Sequence, residues 1–205
     1  MEEQSREDLY ALNRKALEYI LKFLKGDADS FPLLVELFDQ RVQRIVLKMV
    51  YSYHDSQDVC NDIWLKVAQN LNKFDQSYPF HSWLYRLSSN TCIDFLRKKK
   101  EITMKDDQLY HQVNKQQKSV ETPETLFMKK EFYSHIQELL YHLEEVDRLI
   151  VTLRFVDELS YEEIGAIVGM SKNTVGTRLF RSRKFLKELL SHKSIERSVY
   201  NATSG

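Results

Sequence analysis

Apolar side chains recur along most of this chain at the 3.6-residue spacing of helices that bury one face. Leu9, Leu12, Ala16, Ile20 and the Phe23/Leu24 pair mark a leading amphipathic helix, expected to pack on its own protein. Gly26 and Asp27 interrupt it. A second stripe follows, made of Leu33, Leu34, Leu37, Phe38, Val42, Ile45, Val46 and Met49. Pro32 lies near its start, where a missing N–H is tolerated. Tyr51–Gln57 is polar enough to read as a turn. Val59, Cys60, Ile63, Trp64, Val67 and Leu71 mark the next helix. Asn72–Ser82 holds Pro79 and reads as a loop. Trp83, Leu84, Leu87, Thr91, Phe95 and Leu96 then mark a helix that runs into the basic run Arg97–Lys100.

Beyond it the period is lost. From Glu101 to Thr125 the few apolar residues have no sustained spacing, Gln and Lys dominate, and Pro123 closes the stretch. This composition predicts a flexible linker. Periodicity returns with Phe132, Ile136, Leu139, Leu140 and Leu143, then with Val146, Leu149, Ile150, Leu153 and Phe155. Ser160-Tyr-Glu-Glu163 has the form of a capping box, which starts a short helix ending near Gly169. Ser171 caps a final helix whose inward stripe is Val175, Leu179, Ser182, Leu186 and Leu190. Two short helices joined by a glycine turn predict a helix-turn-helix. An ordinary antiparallel pair is the alternative, but it gives no reason for the basic second helix. The expected fold is all-α. Residues 1–27 form a helical extension, 28–100 a helical bundle, 101–125 the linker, 126–193 the helix-turn-helix domain and 194–205 a tail.

Composition narrows the classes. Hydrophobic residues are 42% and charged residues 29% of 205, enough apolar surface for a core and too much for a disordered chain. Only five glycines and three prolines fit a chain of long helices. No apolar run is long enough for a membrane span, and the amino terminus lacks an export pattern, so a cytoplasmic protein is expected. Cys60 and Cys92 lie in apolar helical patterns and read as buried thiols rather than a disulfide or a zinc site. No cofactor is expected. Net charge is zero, yet charge is segregated. Nine acids and only Arg148 and Arg154 fall within 131–163, against seven Lys/Arg and one acid within 171–193.

The final helix carries the sharpest chemistry. At 100° per residue, Asn173, Thr177, Phe180, Arg181 and Lys184 lie opposite the inward stripe, with Arg178 and Arg183 flanking them. Recognition helices present such side chains to the major groove: Arg pairs with guanine, Asn with adenine, and flanking cations hold phosphates. Phe180 suits a thymine methyl or a sugar, or else a protein partner. Gly176 costs about 1 kcal/mol in a helix interior relative to Ala; close approach of DNA to the backbone would offset it. In the first domain, the helix from Trp83 carries Arg86, Asn90 and Arg97 and ends in a basic cluster suited to phosphates. The loop before it is rich in aromatics and amides. It suits an unstacked base, or else Phe74, Tyr78 and Phe80 fold back on the core. Metal-spaced acids, a phosphate-cradling glycine loop and a nucleophile constellation are all missing from the sequence, and the six histidines are scattered.

Two segments carry a family resemblance. The first contains Asp55-Ser-Gln-Asp-Val-Cys-Asn-Asp-Ile-Trp64, Asn72-Lys-Phe-Asp75, Phe80-His-Ser-Trp-Leu-Tyr-Arg-Leu-Ser-Ser-Asn90 and Ile93-Asp-Phe-Leu-Arg97. The second contains Leu153-Arg-Phe-Val-Asp-Glu-Leu-Ser-Tyr-Glu-Glu-Ile164, Gly169-Met-Ser-Lys-Asn-Thr-Val175 and Thr177-Arg-Leu-Phe-Arg-Ser-Arg183. In this order they resemble the sigma-2 and sigma-4 domains of sigma-70 family RNA polymerase sigma factors of the extracytoplasmic-function type. The resemblance implies that Asp58, Asn61, Asp62, Trp64 and Lys66 meet the clamp helices of core RNA polymerase. It implies that Asn72, Lys73, Phe74 and Asp75 capture a base from the melted −10 strand, with Arg86, Asn90 and Arg97 on the adjoining DNA. It assigns duplex −35 contacts to Lys172, Asn173, Thr174, Thr177, Arg178, Phe180, Arg181 and Lys184, and docks the acidic side of sigma-4 on the polymerase flap. An anti-sigma factor is a further partner by the same analogy. Two departures stand out. Ser56-Gln-Asp-Val-Cys-Asn-Asp62 replaces the family's Asp-Glu-Asp-Leu-x-Gln-Glu, and Gly176 replaces a usual Lys or Arg. The competing readings are a free-standing helix-turn-helix regulator, which leaves the helix from Trp83 unused, and a nucleic-acid enzyme, for which no catalytic set is found.

Overall fold

The computed structural model describes residues 2–105 and 136–203, and among these residues only helices and connecting turns occur. Helices α1 (Glu2–Leu24), α2 (Ser30–Met49), α3 (Tyr53–Asn70) and α4 (Phe80–Lys105) form the first body. A 3₁₀ turn at Leu71–Lys73 joins α3 to the loop before α4. The second body contains α5 (136–141), α6 (Glu145–Val156), α7 (Tyr161–Val168) and α8 (Lys172–Thr203). The expected linker lies outside the described residues except for its first five, 101–105, which continue α4.

Local chemistry sets the helix starts. Helix α3 begins at Tyr53, within the stretch expected to be a turn, because the Ser52 hydroxyl accepts the Asp55 N–H at 3.3 Å and serves as its N-cap. Helix α7 has the expected capping box: Ser160 Oγ accepts the Glu163 N–H, and Glu163 Oε2 accepts the Ser160 N–H at 2.7 Å. It ends at Gly169 in the left-handed region (φ 72°), where a side chain is strained. Gly165 has a different reason to be glycine. A Cβ there would stand 2.5 Å from the Met170 carbonyl oxygen, so the tight turn into α8 needs a bare backbone. Ser171 Oγ accepts the Thr174 N–H at 3.2 Å and caps α8.

The core is made by the stripes. Ile20 of α1, Leu34, Phe38, Ile45 and Met49 of α2, Ile63 of α3 and Leu84 and Tyr85 of α4 are fully buried. Each such aliphatic or aromatic side chain stabilises the fold by about 1.5–3 kcal/mol on burial. In the second body Leu149, Ile150, Leu153, Ile164, Val175 and Leu179 do the same. Leu190, expected to face inward, is half-exposed, because α8 runs past the end of the body it packs on.

The two bodies are docked, α6 against α2 and α7 against α4. Arg148 is the main polar seam. Its guanidinium donates to the Leu140 carbonyl (3.1 Å), the Leu143 carbonyl (3.2 Å) and the Met49 carbonyl (2.9 Å), and it stacks 4.0 Å over the Tyr141 ring. It thereby satisfies carbonyls at the C-terminal ends of both α2 and α5, where a cation is also favoured by the helix dipole. Tyr141 Oη donates to the same Met49 carbonyl at 2.9 Å. A second seam is Asp157, whose Oδ1 accepts from Arg41 Nη1 and from Tyr85 Oη, each at 3.1 Å. Its other oxygen is buried without a partner among the described residues, and burial raises the carboxyl's pKa.

Candidate nucleic-acid interface

Helix α8 turns its polar face outward as its spacing requires. Asn173, Thr174, Thr177, Phe180, Arg181 and Lys184 are exposed, Phe180 by 70%, while Val175, Leu179 and Ser182 are buried beneath them. The flanking cations are engaged. Arg178 pairs with Asp147 of α6 at 2.7 Å, Lys172 with Glu162 of α7 at 2.5 Å, and Arg183 lies 4.9 Å over the Phe155 ring. Tyr161, Lys172, Asn173, Gly176, Thr177 and Phe180 line a shallow open depression. A Cβ on Gly176 would make ordinary contact with the Tyr161 ring at 3.5 Å, so internal packing does not demand glycine here.

The loop before α4 is split between core and solvent. Phe74 and Phe80 are buried, their rings 5.5 Å apart, and both meet Trp83. Phe80 also packs edge-on against Phe38 of α2 at 5.4 Å. These rings anchor the loop, and Asn72, Lys73 and Asp75–Pro79 are exposed. Asp75 accepts the Ser77 N–H at 3.0 Å, which holds its carboxyl below the usual range and tightens the tip. Tyr78 stands out from it, 67% exposed. Along α4, Arg86, Asn90 and Arg97 are exposed on one side, and Arg97 pairs with Asp94 at 2.9 Å.

A third surface lies between α2 and α3. Asp39, Gln43, Tyr53, Asp58, Asn61 and Trp64 are among the residues lining a cleft of about 410 Å³. Trp64 is nearly buried and donates its indole N–H to Asp39 at 2.9 Å. Asp58, Asn61 and Asp62 are exposed. Lys66 pairs with Asp62 at 2.8 Å and reaches Thr91 of α4. Cys60 lies in the cleft wall, and burial pushes its thiol up to about 11, so it is a protonated, inert lining group.

Residues 34–102 match Sigma-70 region 2 and residues 134–186 match Sigma-70 region 4. The ECF RNA polymerase sigma-E factor of Escherichia coli K12 is 32% identical over 165 residues, covering 78% of this chain and 86% of that protein. The chain belongs to the sigma-70 family. This sigma factor is also 29% identical over 174 residues to the ECF RNA polymerase sigma factor SigW of Bacillus subtilis, covering 81% of this chain and 91% of its relative. Its fold resembles that of the sigma factor RpoE from Bartonella quintana, solved with the anti-sigma factor NepR (TM-score 0.62, 19% identity, 80% and 98% covered). The sigma factor therefore serves promoter recognition in transcription initiation.

Several residues sit differently from expectation. Phe74 was expected at the −10 strand, but its ring is committed to the Phe80/Trp83 cluster; Tyr78 is the loop's exposed aromatic. Trp64, expected on the polymerase, shapes the cleft from behind through Asp39. Arg178 braces α8 on α6. Part of the acidic stretch is engaged within the protein. Asp147, Asp157, Glu162 and Glu163 are used on Arg178, Arg41, Lys172 and the α7 cap, while Glu138, Glu144 and Glu158 are exposed. Sequence reasoning also missed Arg148, Asp157 and Asn13, whose partners lie far away in the chain. The lone arginine within an apolar stripe was the available signal for Arg148. Among the described residues no group of His, Cys, Asp or Glu is arranged to hold a metal, and no helix is long and apolar enough to cross a membrane.

Proposed function

We propose that this sigma factor places two promoter elements on core RNA polymerase and opens the −10 region. Helix α8 reads the −35 duplex through Asn173, Thr177 and Arg181, with Lys172, Thr174 and Lys184 near phosphates. Phe180 and the depression over Gly176 suit the methyl of a thymine. Helix α4 lies along the −10 DNA through Arg86, Asn90 and Arg97. The loop tip, with Asn72, Lys73, Asp75 and Tyr78, captures an unstacked base. Stacking on Tyr78 would return about 1–3 kcal/mol of the energy lost on melting. The α2–α3 cleft, with Asp58, Asn61 and Asp62 on its rim, receives the polymerase clamp helices. No covalent step belongs to this protein, which works in the cytoplasm where the polymerase is and is open to regulation by an anti-sigma factor.

One observation carries this reading. Two outward polar stripes, on α4 and α8, occur in a chain that also offers an exposed loop tip at the start of α4. A free-standing regulator would use only α8. Run-off transcription with purified core polymerase tests the difference. Transcripts that begin at a defined start only when core and this protein are combined support the proposal. Tight duplex binding by the protein alone, with no core-dependent start, overturns it.

A further inference from the structure

Helix α1 precedes the residues matched to Sigma-70 region 2. It nevertheless touches both ends of the base-capturing loop, packing against the 3₁₀ turn at Leu71–Lys73 and against α4. At the α4 end the contact is polar and specific. The Asn13 side chain accepts the backbone N–H of His81 at 3.0 Å, a donor of the first turn of α4 that has no partner within its own helix. Its amide nitrogen donates to the Leu9 carbonyl at 2.7 Å and stands 2.7 Å from Nδ1 of the His81 ring.

These contacts fix the amide's orientation and the ring's tautomer. The amide cannot be flipped, because its oxygen would then face the Leu9 carbonyl and its nitrogen the His81 N–H. With the amide nitrogen donating to Nδ1, that ring nitrogen is an acceptor and the proton sits on Nε2. Nε2 in turn lies 3.2 Å from the Ser82 hydroxyl. His81 is 4% exposed and packs edge-on against Tyr85, so the ring end of this network is shielded from solvent. Only one residue, Phe80, separates it from Pro79, where the exposed loop tip ends.

We propose that Asn13 is a positioning residue for promoter opening. Acting as a cap supplied from 68 residues away, it sets the angle at which the loop tip leaves α4 and so where Tyr78 and Asp75 meet the displaced base. This rests on the reading of that loop as the base-capturing element. Asn13 touches no DNA itself.

The test uses the full chain assembled with core polymerase on a promoter carrying 2-aminopurine in the −10 element. Asn13→Ala removes the cap without disturbing α1, since alanine is the best helix former. The expected result is a drop of roughly tenfold in the opening signal, the size of one lost part-buried hydrogen-bond pair. Discrimination between bases at the captured position should shrink with it. Binding to core, and to a duplex holding only the −35 element, should be unchanged. Asn13→Asp is a partial rescue. A carboxylate still accepts the His81 N–H, and it accepts an Nδ1–H once the ring moves its proton, but its second oxygen cannot donate to the Leu9 carbonyl, so opening should fall between Asn13→Ala and wild type. Equal opening and discrimination in Asn13→Ala and wild type would overturn the inference. So would a loss that appears equally in core and −35 binding, which marks a merely structural role. If wild-type holoenzyme gives no opening signal at all, the failure belongs to the proposed function instead.

Discussion

Helices α4 and α8 both turn a polar stripe to solvent, but they are embedded to different depths. Helix α4 lies among α1, α2, α3, α6 and α7 and is fixed by directional bonds: Asn13 on its first turn, Asp157 on Tyr85, Lys66 on Thr91. Helix α8 rests on α6 and α7, through an apolar stripe that runs to Leu186 and through Arg178 on Asp147 and Lys172 on Glu162, and beyond it Leu190 is half-exposed. Capturing one base needs a fixed pose, because a flipped base has a pocket and not a groove to guide it. Reading a duplex tolerates more freedom, since phosphate contacts restore register. The difference in support matches the difference in the tasks proposed for the two helices.

The largest expected effect acts on α4. Burial pushes His81 down to about 4 from an ordinary 6.5. The unfolded chain therefore binds the extra proton first, and stability contributed by the neutral ring is complete above pH 6.5 and lost as pH falls through about 4. Up to about 3 kcal/mol is at stake. Urea unfolding across this range should show a steeper acid loss in wild type than in His81→Gln, and equal slopes would remove the directional account of α4. Next comes Arg181→Ala, which should weaken −35 binding by about 1–3 kcal/mol and relax preference at one base pair, measured by competition between duplexes. A uniform loss across sequences would make Arg181 a phosphate contact. Ser160→Ala should lower stability by about 1 kcal/mol in thermal unfolding, because it opens the cap of α7. The smallest is Gly176→Ala. The Tyr161 ring leaves room for the methyl, so the folded protein should gain up to about 1 kcal/mol. If −35 affinity falls while stability rises, DNA approaches the backbone there; if both rise, it does not.

What could be read from the sequence was local. The stripes of α2 and α3, the Ser160/Glu163 box and the outward set on α8 all follow from periodicity and capping, which need only neighbours within one or two turns. What escaped depended on distance. Asp157 meets partners 116 and 72 positions away, and Asn13 meets His81 across 68. No pattern within one helix encodes such pairs. The loop escaped for another reason. Phe74, Tyr78 and Phe80 share no helical or strand period, so which rings turn inward is decided by space beside Phe38 and Trp83. Ser52 outweighed the polarity of the residues after it, and α3 began earlier than composition suggested.

The clasp around Asp157 ties the docking of the two bodies to a single atom. One buried carboxylate oxygen accepts from Arg41 of α2 and from Tyr85 of α4 together. Exchanging that carboxylate for a methyl would strand both donors at once.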